Sequence, residues 1–322
     1  MRSDSRFVAL LPVRDEGDII RECLVHALKW ADRIYVYDTG SVDDTWDIVR
    51  ELARSDERVK PIARVPVYYN ENRVRGLLFE TAREYLRDGD WFVRIDADEF
   101  HHVRPQDFVS RRVSPREGVV YHQYFDFQLT RAEAEGLKSA AAIATDREKS
   151  IAERRRHYTV SDYSEPRLCR YRASMRWPVM VSFPYNAGLV AKRRLPIRHY
   201  PHRDPEQLER RCRLRAIMMA DKENRLNWTR PEAHRWSVGD WRRFLVDDDA
   251  PELKVWEQGT ELPDIRQTNH IPRGVRRAVQ HVLYALSLPS ALDLTRKGWS
   301  PDAYPLPIAP ETQEILAREL SR

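Results

Sequence analysis

The sequence predicts an α/β fold: a mostly parallel, twisted, doubly wound sheet with flanking helices and a helical C-terminal extension. Three observations carry that expectation. Short apolar runs of strand length alternate with segments of helical periodicity through the first hundred or so residues. Acidic residues stand at the ends of two of those runs, the place where open α/β sheets bind ligands. Beyond about residue 223 the texture changes to tryptophans among charges and a proline-rich tail, with no repeat or low-complexity linker in between.

The elements follow in order. Phe7-Val8-Ala9-Leu10-Leu11, ended by Pro12, reads as a strand in the middle of a sheet. Asp15 and Glu16 lead into a helix with Ile20, Leu24 and Leu28 at i+4 spacing. Ile34-Tyr35-Val36-Tyr37 is a second strand, with Asp38 at its end and Thr39-Gly40-Ser41 as the turn. Ser41-x-x-Asp44 has capping-box spacing ahead of a helix through Trp46, Val49 and Leu52. Residues 59–62 form a weaker third strand, and 73–86 a helix through Leu77, Leu78, Thr81 and Tyr85. That helix delivers the chain to Trp91-Phe92-Val93-Arg94-Ile95, a buried strand bounded by Asp88-Gly89-Asp90.

Asp96 and Asp98 close this strand. On an extended backbone residues two apart share a face, so the two carboxylates are expected to converge past the strand end. Converging carboxylates repel unless a cation sits between them, and oxygen ligands favour Mg2+ or Mn2+. A solvated acidic corner is the plain alternative for so short a motif.

In the second half, residues 118–127 form an aromatic-rich strand. Thr130-x-x-Glu133 is a capping box opening an Ala-rich helical stretch to about Arg156, expected to cover the site or lie on the surface. Residues 167–171, 179–181 and 189–191 read as short strands of a second, mixed part of the sheet. After Pro196-Ile197-Arg198-His199-Tyr200-Pro201-His202-Arg203, a helix from 205 to about 222 packs through Leu208, Cys212 and Ile217. Then come Trp228, Trp236, Trp241, Trp256 and Trp299, and one helix over 274–288. These tryptophans pack the core or line a groove for a sugar ring.

Composition narrows the class. With 42% hydrophobic and 33% charged residues among 322, a soluble globular protein is expected. No apolar run reaches membrane-span length and no secretory leader is visible at the start, so the expected location is cytoplasmic. Cys23, Cys169 and Cys212 lack zinc spacing and read as reduced. The net charge of +5 suits nucleic acid, an anionic membrane surface or phosphorylated small molecules. No nucleic-acid motif is present, and an acidic rim repels phosphate unless a metal intervenes. No helix with a clean apolar face and a basic border stands out, so membrane association is only weakly supported.

On these residues the chain resembles the family 2 glycosyltransferases of the GT-A fold. The landmarks are Leu11-Pro12-Val13-Arg14-Asp15-Glu16, similar to the family's P-x-x-N-E, then Asp38-Thr39-Gly40-Ser41-Val42-Asp43-Asp44-Thr45, similar to D-x-G-S-x-D-x-T, and Ile95-Asp96-Ala97-Asp98-Glu99. Asp15 departs from the usual Asn. The resemblance covers residues 6–100 well and 118–215 loosely. It implies a catalytic domain over 1–222, with a nucleotide-binding half at 1–100 and an acceptor half at 101–222, and a helical, Trp-rich extension over 223–322.

The resemblance also implies roles. Pro12 and Glu16 would lie beside the base or ribose, and Asp38 would accept from the base ring, or else simply form an Asx turn before Gly40. Asp96 would hold the ribose or a water of the metal shell. Asp98 would ligate Mn2+ or Mg2+, bridging the two phosphates of a nucleotide-sugar. His199 would add a ligand, or be an ordinary hydrogen-bonded histidine of the second sheet, with His202 as the fallback. Arg203 would contact diphosphate, since a guanidinium donates two bonds at once, and Arg75 would be a second phosphate contact. The other basic residues of 192–215 are expected on a solvated helix face.

The implied reaction moves a sugar from a nucleoside-diphosphate sugar, UDP being the first choice, to a carbohydrate, lipid-linked or small-molecule hydroxyl, with inversion. Glu165 and Asp126, ahead of Asp162, are the candidate bases, with a strand-end salt bridge as the plain alternative for each. A nucleotidyltransferase is the competing enzyme, but it wants a glycine-rich basic loop after the first strand, where this chain has only Gly17. A nucleic-acid-binding module is the non-enzymatic alternative.

Overall fold

A computed structural model describes residues 5–68, 71–177, 183–184, 187–220, 240–268, 274–286, 288, 291 and 307–320. The first half alternates strands and helices: β1 (Phe7–Val13), α1 (Ile20–Ala27), β2 (Arg33–Asp38), α2 (Thr45–Ser55), β3 (Val59–Arg64), α3 (Glu71–Ala82), β4 (Trp91–Arg94) and β5 (Glu99–His101). Then come α4 (Pro105–Arg112), β6 (Glu117–Phe127), α5 (Arg131–Gly136), α6 (Ala140–Arg147), α7 (Ile151–Arg154), β7 (His157–Val160) and β8 (Pro166–Arg170). The chain continues through β9 (Leu189–Val190), β10 (Leu195–His199), α8 (Pro205–Ala220), β11 (Lys254–Val255), α9 (Gly274–Ala285) and α10 (Pro310–Leu320).

The sheet runs β11-β7-β6-β8-β4-β1-β2-β3, with β10 joining β6 and β5, and β9 joining β6. β4, β1, β2 and β3 are mutually parallel neighbours. β8 is antiparallel to both β4 and β6 and turns the sheet from its parallel half into its mixed half. Alternation along β1 explains why it is central. Ala9, Leu11 and Val13 pack with α1 and the Trp30 cluster, while Val8 and Leu10 pack with Val74, Leu78 and Phe79 of α3 on the other face. Trp91 and Val93 follow the first set and Phe92 the second.

Four expectations change. The segment expected as one helix from 130 to 156 is three short helices, although Thr130 and Glu133 do form the capping box. Ser41 does not cap α2: its hydroxyl accepts from the Asp15 amide at 2.9 Å, and Asp44 takes the cap position without a side-chain bond. The strand ends at Arg94, and the next residues turn through a Glu99 N–H to Asp96 C=O bond of 3.1 Å. Period-two geometry therefore stops before the two aspartates. The C-terminal part is not wholly helical, since β11 pairs with β7 at the sheet edge and Trp256 behind it is buried in the core. The expected strand at 179–181, and Trp228, Trp236 and Trp299, lie outside the described residues. Among the described residues no helix is long and apolar enough to cross a membrane.

Candidate functional site

The parallel strands end together over a cavity of about 560 Å3. Its floor comes from the β1–α1 loop, with Pro12, Asp15, Glu16 and Asp18, and from the turn after β4, with Asp96, Asp98 and Glu99. Asp15 sits in the left-handed region at φ 53°, which Asn and Asp tolerate better than other side chains. Its carboxylate accepts from the Val42 amide at 2.8 Å, tying this loop to the one after β2. Gly40 in that second loop has φ 101°, and a Cβ there would lie 2.7 Å from Cα of Pro66, so only glycine fits.

Asp38 is fully buried at the end of β2 and does not line the cavity. Its Oδ1 accepts from the amides of Gly40 and Ser41 at 2.8 and 2.6 Å, which is the Asx-type turn. Among the described residues its Oδ2 is buried without a hydrogen-bond partner, and burial pushes its pKa up, against the two amides.

Asp96 and Asp98 both reach the cavity, but with different partners. Asp96 accepts from Arg75 at 2.6 Å and lies 3.3 Å from Arg167. Burial would raise its pKa, yet these two arginines hold it below the usual carboxylate range. Asp98 lies 3.6 Å from Nε2 of His199 and 3.7 Å from Arg211. Against burial, the His199 charge holds it down to about 2. His199 itself is pushed up to about 10, with Asp98 and Asp126 outweighing burial. Its Nδ1 is 2.6 Å from Asp126, so Nε2 faces Asp98, and its ring stacks on Tyr124 with centroids 4.5 Å apart.

Glu99, which sequence reasoning did not single out, is a buried carboxyl at the cavity floor. It meets the Tyr124 hydroxyl and Arg167, and accepts from the Asp96 amide at 3.2 Å. Burial pushes its pKa up to about 8, with Asp96 and Asp98 adding to the effect and Arg167 opposing it. Glu16 is likewise pushed up to about 7 by burial, against the pull of Arg203.

The two arginines expected at phosphate stand elsewhere. Arg203 is fully buried, bonds Asp18 at 2.6 and 2.8 Å, meets Glu16, and does not line the cavity. Arg75 is buried behind Asp96 and does not line the cavity either. The cationic wall is instead a face of α8, where Arg211, Leu214, Arg215 and Met218 recur at helical spacing, with Arg210 beside them. This reverses the expectation of a solvated helix face. The 211, 214, 215, 218 spacing was the available signal, because it mixes apolar with basic residues on one side. Burial and the neighbouring Arg211 push Arg215 down to about 9, a crowding of like charge that an anion relieves.

The expected bases also lie off the cavity wall. Asp126 is occupied with His199, and Glu165 pairs with Arg94 at 3.2 Å and Arg167 at 3.1 Å. Asp162 is not on the wall, and His202 bonds Gln128 at 3.0 Å. Among the described residues no group of three or more His, Cys, Asp or Glu side chains is set to hold a metal ion. Asp98 and His199 form a pair only. A carboxylate and an imidazole whose other nitrogen is fixed by a carboxylate nevertheless suit a divalent cation, provided phosphate and water complete the shell.

The family model described as glycosyl transferase family 2 matches residues 9–174. No curated protein matches the chain. Among solved structures, TarS of S. aureus aligns at 15% identity over 39% of this chain and 22% of its own, with a TM-score of 0.26. The mannosyltransferase PcManGT from Pyrobaculum calidifontis, in complex with GDP-Man and Mn2+, aligns at 18% over 42% of this chain and 41% of its own, with a TM-score of 0.29. A 4-diphosphocytidyl-2C-methyl-D-erythritol synthase aligns at 17% over 52% and 75%, with a TM-score of 0.27. The matched part thus spans less than half the length of the first two.

Proposed function

The chain belongs to glycosyl transferase family 2, and from that premise we propose that it moves a sugar from a nucleoside-diphosphate sugar to an acceptor hydroxyl, with a divalent cation at Asp98 and His199. One observation supports this reading above the others. Asp98, His199 and the arginine face of α8 converge on a single cavity at the carboxyl end of the parallel sheet.

Each residue then has a task. Asp38 holds the turn through Gly40 and Ser41 that shapes the loop beside the base. Asp126 keeps His199 Nε2 turned toward Asp98, which makes it a positioning residue. Arg211 and Arg215 receive the diphosphate and stabilise it as negative charge gathers on leaving. Arg75 and Arg167 fix Asp96 at the cavity edge for the ribose. The cation, when bound, neutralises the diphosphate and acts as a Lewis acid on its oxygens. An imidazole in the donor set leans the choice toward Mn2+ over Mg2+. Inversion at the anomeric carbon follows from family analogy, and UDP is the first nucleotide to try.

Calorimetric titration of UDP, GDP, dTDP and CDP with Mn2+, repeated with EDTA, tests the proposal. The expected result is one preferred diphosphate whose binding is lost with EDTA and in Asp98→Asn. Binding of a triphosphate in preference to every diphosphate would point to nucleotidyl transfer instead. Metal-independent binding would remove the cation from the site.

A further inference from the structure

Among the described residues Tyr163 is the one Phe, Tyr or Trp whose ring is exposed, at 58%. The loop that carries it is nonetheless fastened at each step. The Ser161 amide donates to the Tyr124 carbonyl at 3.1 Å, and the Ser161 carbonyl accepts from the Gln123 side chain at 2.6 Å. The Tyr163 amide donates to the Ser161 hydroxyl at 3.2 Å, and the Ser164 hydroxyl donates to the His122 carbonyl at 2.7 Å. The Tyr163 hydroxyl donates to Oε2 of Glu165 at 3.0 Å, while Arg94 and Arg167 hold Oε1. A ring kept in water on so firm a mount is preorganised for a ligand rather than for the core.

Its place gives it a use. His122 and Tyr124 share a face of β6, and the Tyr163 ring lies 5.8 and 6.4 Å from theirs. Tyr124 lines the cavity and stacks on His199. Rings therefore lead from the surface to the Asp98–His199 pair on the β6 side, away from the arginines of α8. The surroundings select the ligand. Asp162 is exposed next to the ring and Glu165 holds its hydroxyl, which disfavours phosphate and anionic headgroups. One ring edged by carboxylates also offers no continuous apolar surface to an acyl chain. A sugar suits both features: its C–H face covers the ring, and hydroxyls at its edge donate to the carboxylates.

We propose that Tyr163 is the platform on which the acceptor stacks, and that the acceptor is a carbohydrate. This assignment rests on the transferase reading and names the acceptor class for the same cavity. Glu165 acts through the ring it holds, as a positioning residue.

The test is saturation-transfer NMR on the full chain, with and without Mn2+ and the preferred diphosphate. The probes are methyl glycosides of glucose, galactose, mannose, N-acetylglucosamine and rhamnose, together with octyl glucoside. The expected result is saturation on one ring face of at least one glycoside, at roughly millimolar affinity. Tyr163→Ala is expected to weaken this by about five- to tenfold, and Tyr163→Phe, which keeps the ring and loses its tie, by a smaller factor. The ring is solvent-facing, so Tyr163→Ala should melt with the parent; if it does not, Tyr163→Leu takes its place. No glycoside contact under either condition overturns the proposal. So does contact that removal of the ring leaves unchanged. Saturation on the octyl chain but not on the sugar of octyl glucoside assigns the ring to a lipid tail and equally overturns it. Diphosphate calorimetry on the parent reads the donor site by itself. Glycoside failure with diphosphate bound therefore strikes the platform alone, and diphosphate failure with a glycoside bound strikes the donor reading alone.

Discussion

Glu99 stands next to Asp98, and its surroundings set it apart from both aspartates of that turn. It is a buried carboxyl between Arg167, Tyr124 and Asp96, with its pKa raised to about 8 from an ordinary 4.5. The raised value means the folded state holds a proton that the unfolded state releases. The stability this contributes is complete below pH 4.5 and is lost as pH rises toward 8, by up to about 1.4 kcal/mol per pH unit. Glu99→Gln keeps the hydrogen-bonding shape and removes the titration. Chemical denaturation at the two ends of that window is expected to show the parent losing stability relative to this variant as pH rises; parallel curves would place the titration elsewhere. Arg203 and Arg211 make a second contrast. Arg203→Ala takes the nearest cation from the half-buried Asp18 and Glu16 and empties a fully buried site, and is expected to cost about 3 kcal/mol of stability. Arg211→Ala is expected to melt near the parent and to weaken diphosphate binding by about ten- to a hundredfold, the worth of a bond between charged groups. Calorimetry and a melting curve on both variants separate the two roles.

At the scale of elements, α8 is held between two surfaces. One face lines the cavity, and the next meets α10 through Leu316, Leu320, Ile308 and Tyr68, with Met218 in both. Leu316→Ala is expected to cost about 2–4 kcal/mol as a cavity in this cluster, and to lower nucleotide affinity because the arginine face loses its backing. Unchanged affinity alongside lowered stability would show that α8 holds its place without α10. The strands, the helices of the parallel half and the acids at the strand ends were legible, because apolar period and strand-end position are local properties of the chain. What was not legible depends on distant partners. Ser41 has capping spacing with Asp44, yet its hydroxyl is claimed by the Asp15 amide across the loop. The shared-face argument for Asp96 and Asp98 failed because the strand ends two residues before them. Arg203 and Arg211 are indistinguishable in sequence until Asp18 is known to wait beside one and Asp98 beside the other.

Across the whole molecule, sequence-distant pieces are joined by a buried ionic lattice. Arg203 binds Asp18, Arg154 lies between Asp18 and Asp204, Arg147 binds Asp204 at 2.9 Å, and Arg155 binds Asp146 at 2.8 Å. These links tie the β1–α1 loop, the helical insertion and the start of α8 into one wall around the cavity. Because most of these groups are shielded from water, raising salt to about 0.5 M is expected to shift the melting temperature little. Asp204→Ala, by contrast, is expected to cost about 3–5 kcal/mol by stranding buried arginines. A melting curve that collapses with salt would mean the lattice is solvated. The double membership of Met218 has one more outcome. A nucleotide that fixes Met218 at the cavity wall is expected to steady the helix Pro310–Leu320 packed behind it. Amide hydrogen exchange across that last helix is expected to slow when a nucleotide diphosphate is added; unchanged exchange alongside measured binding would show the two uncoupled.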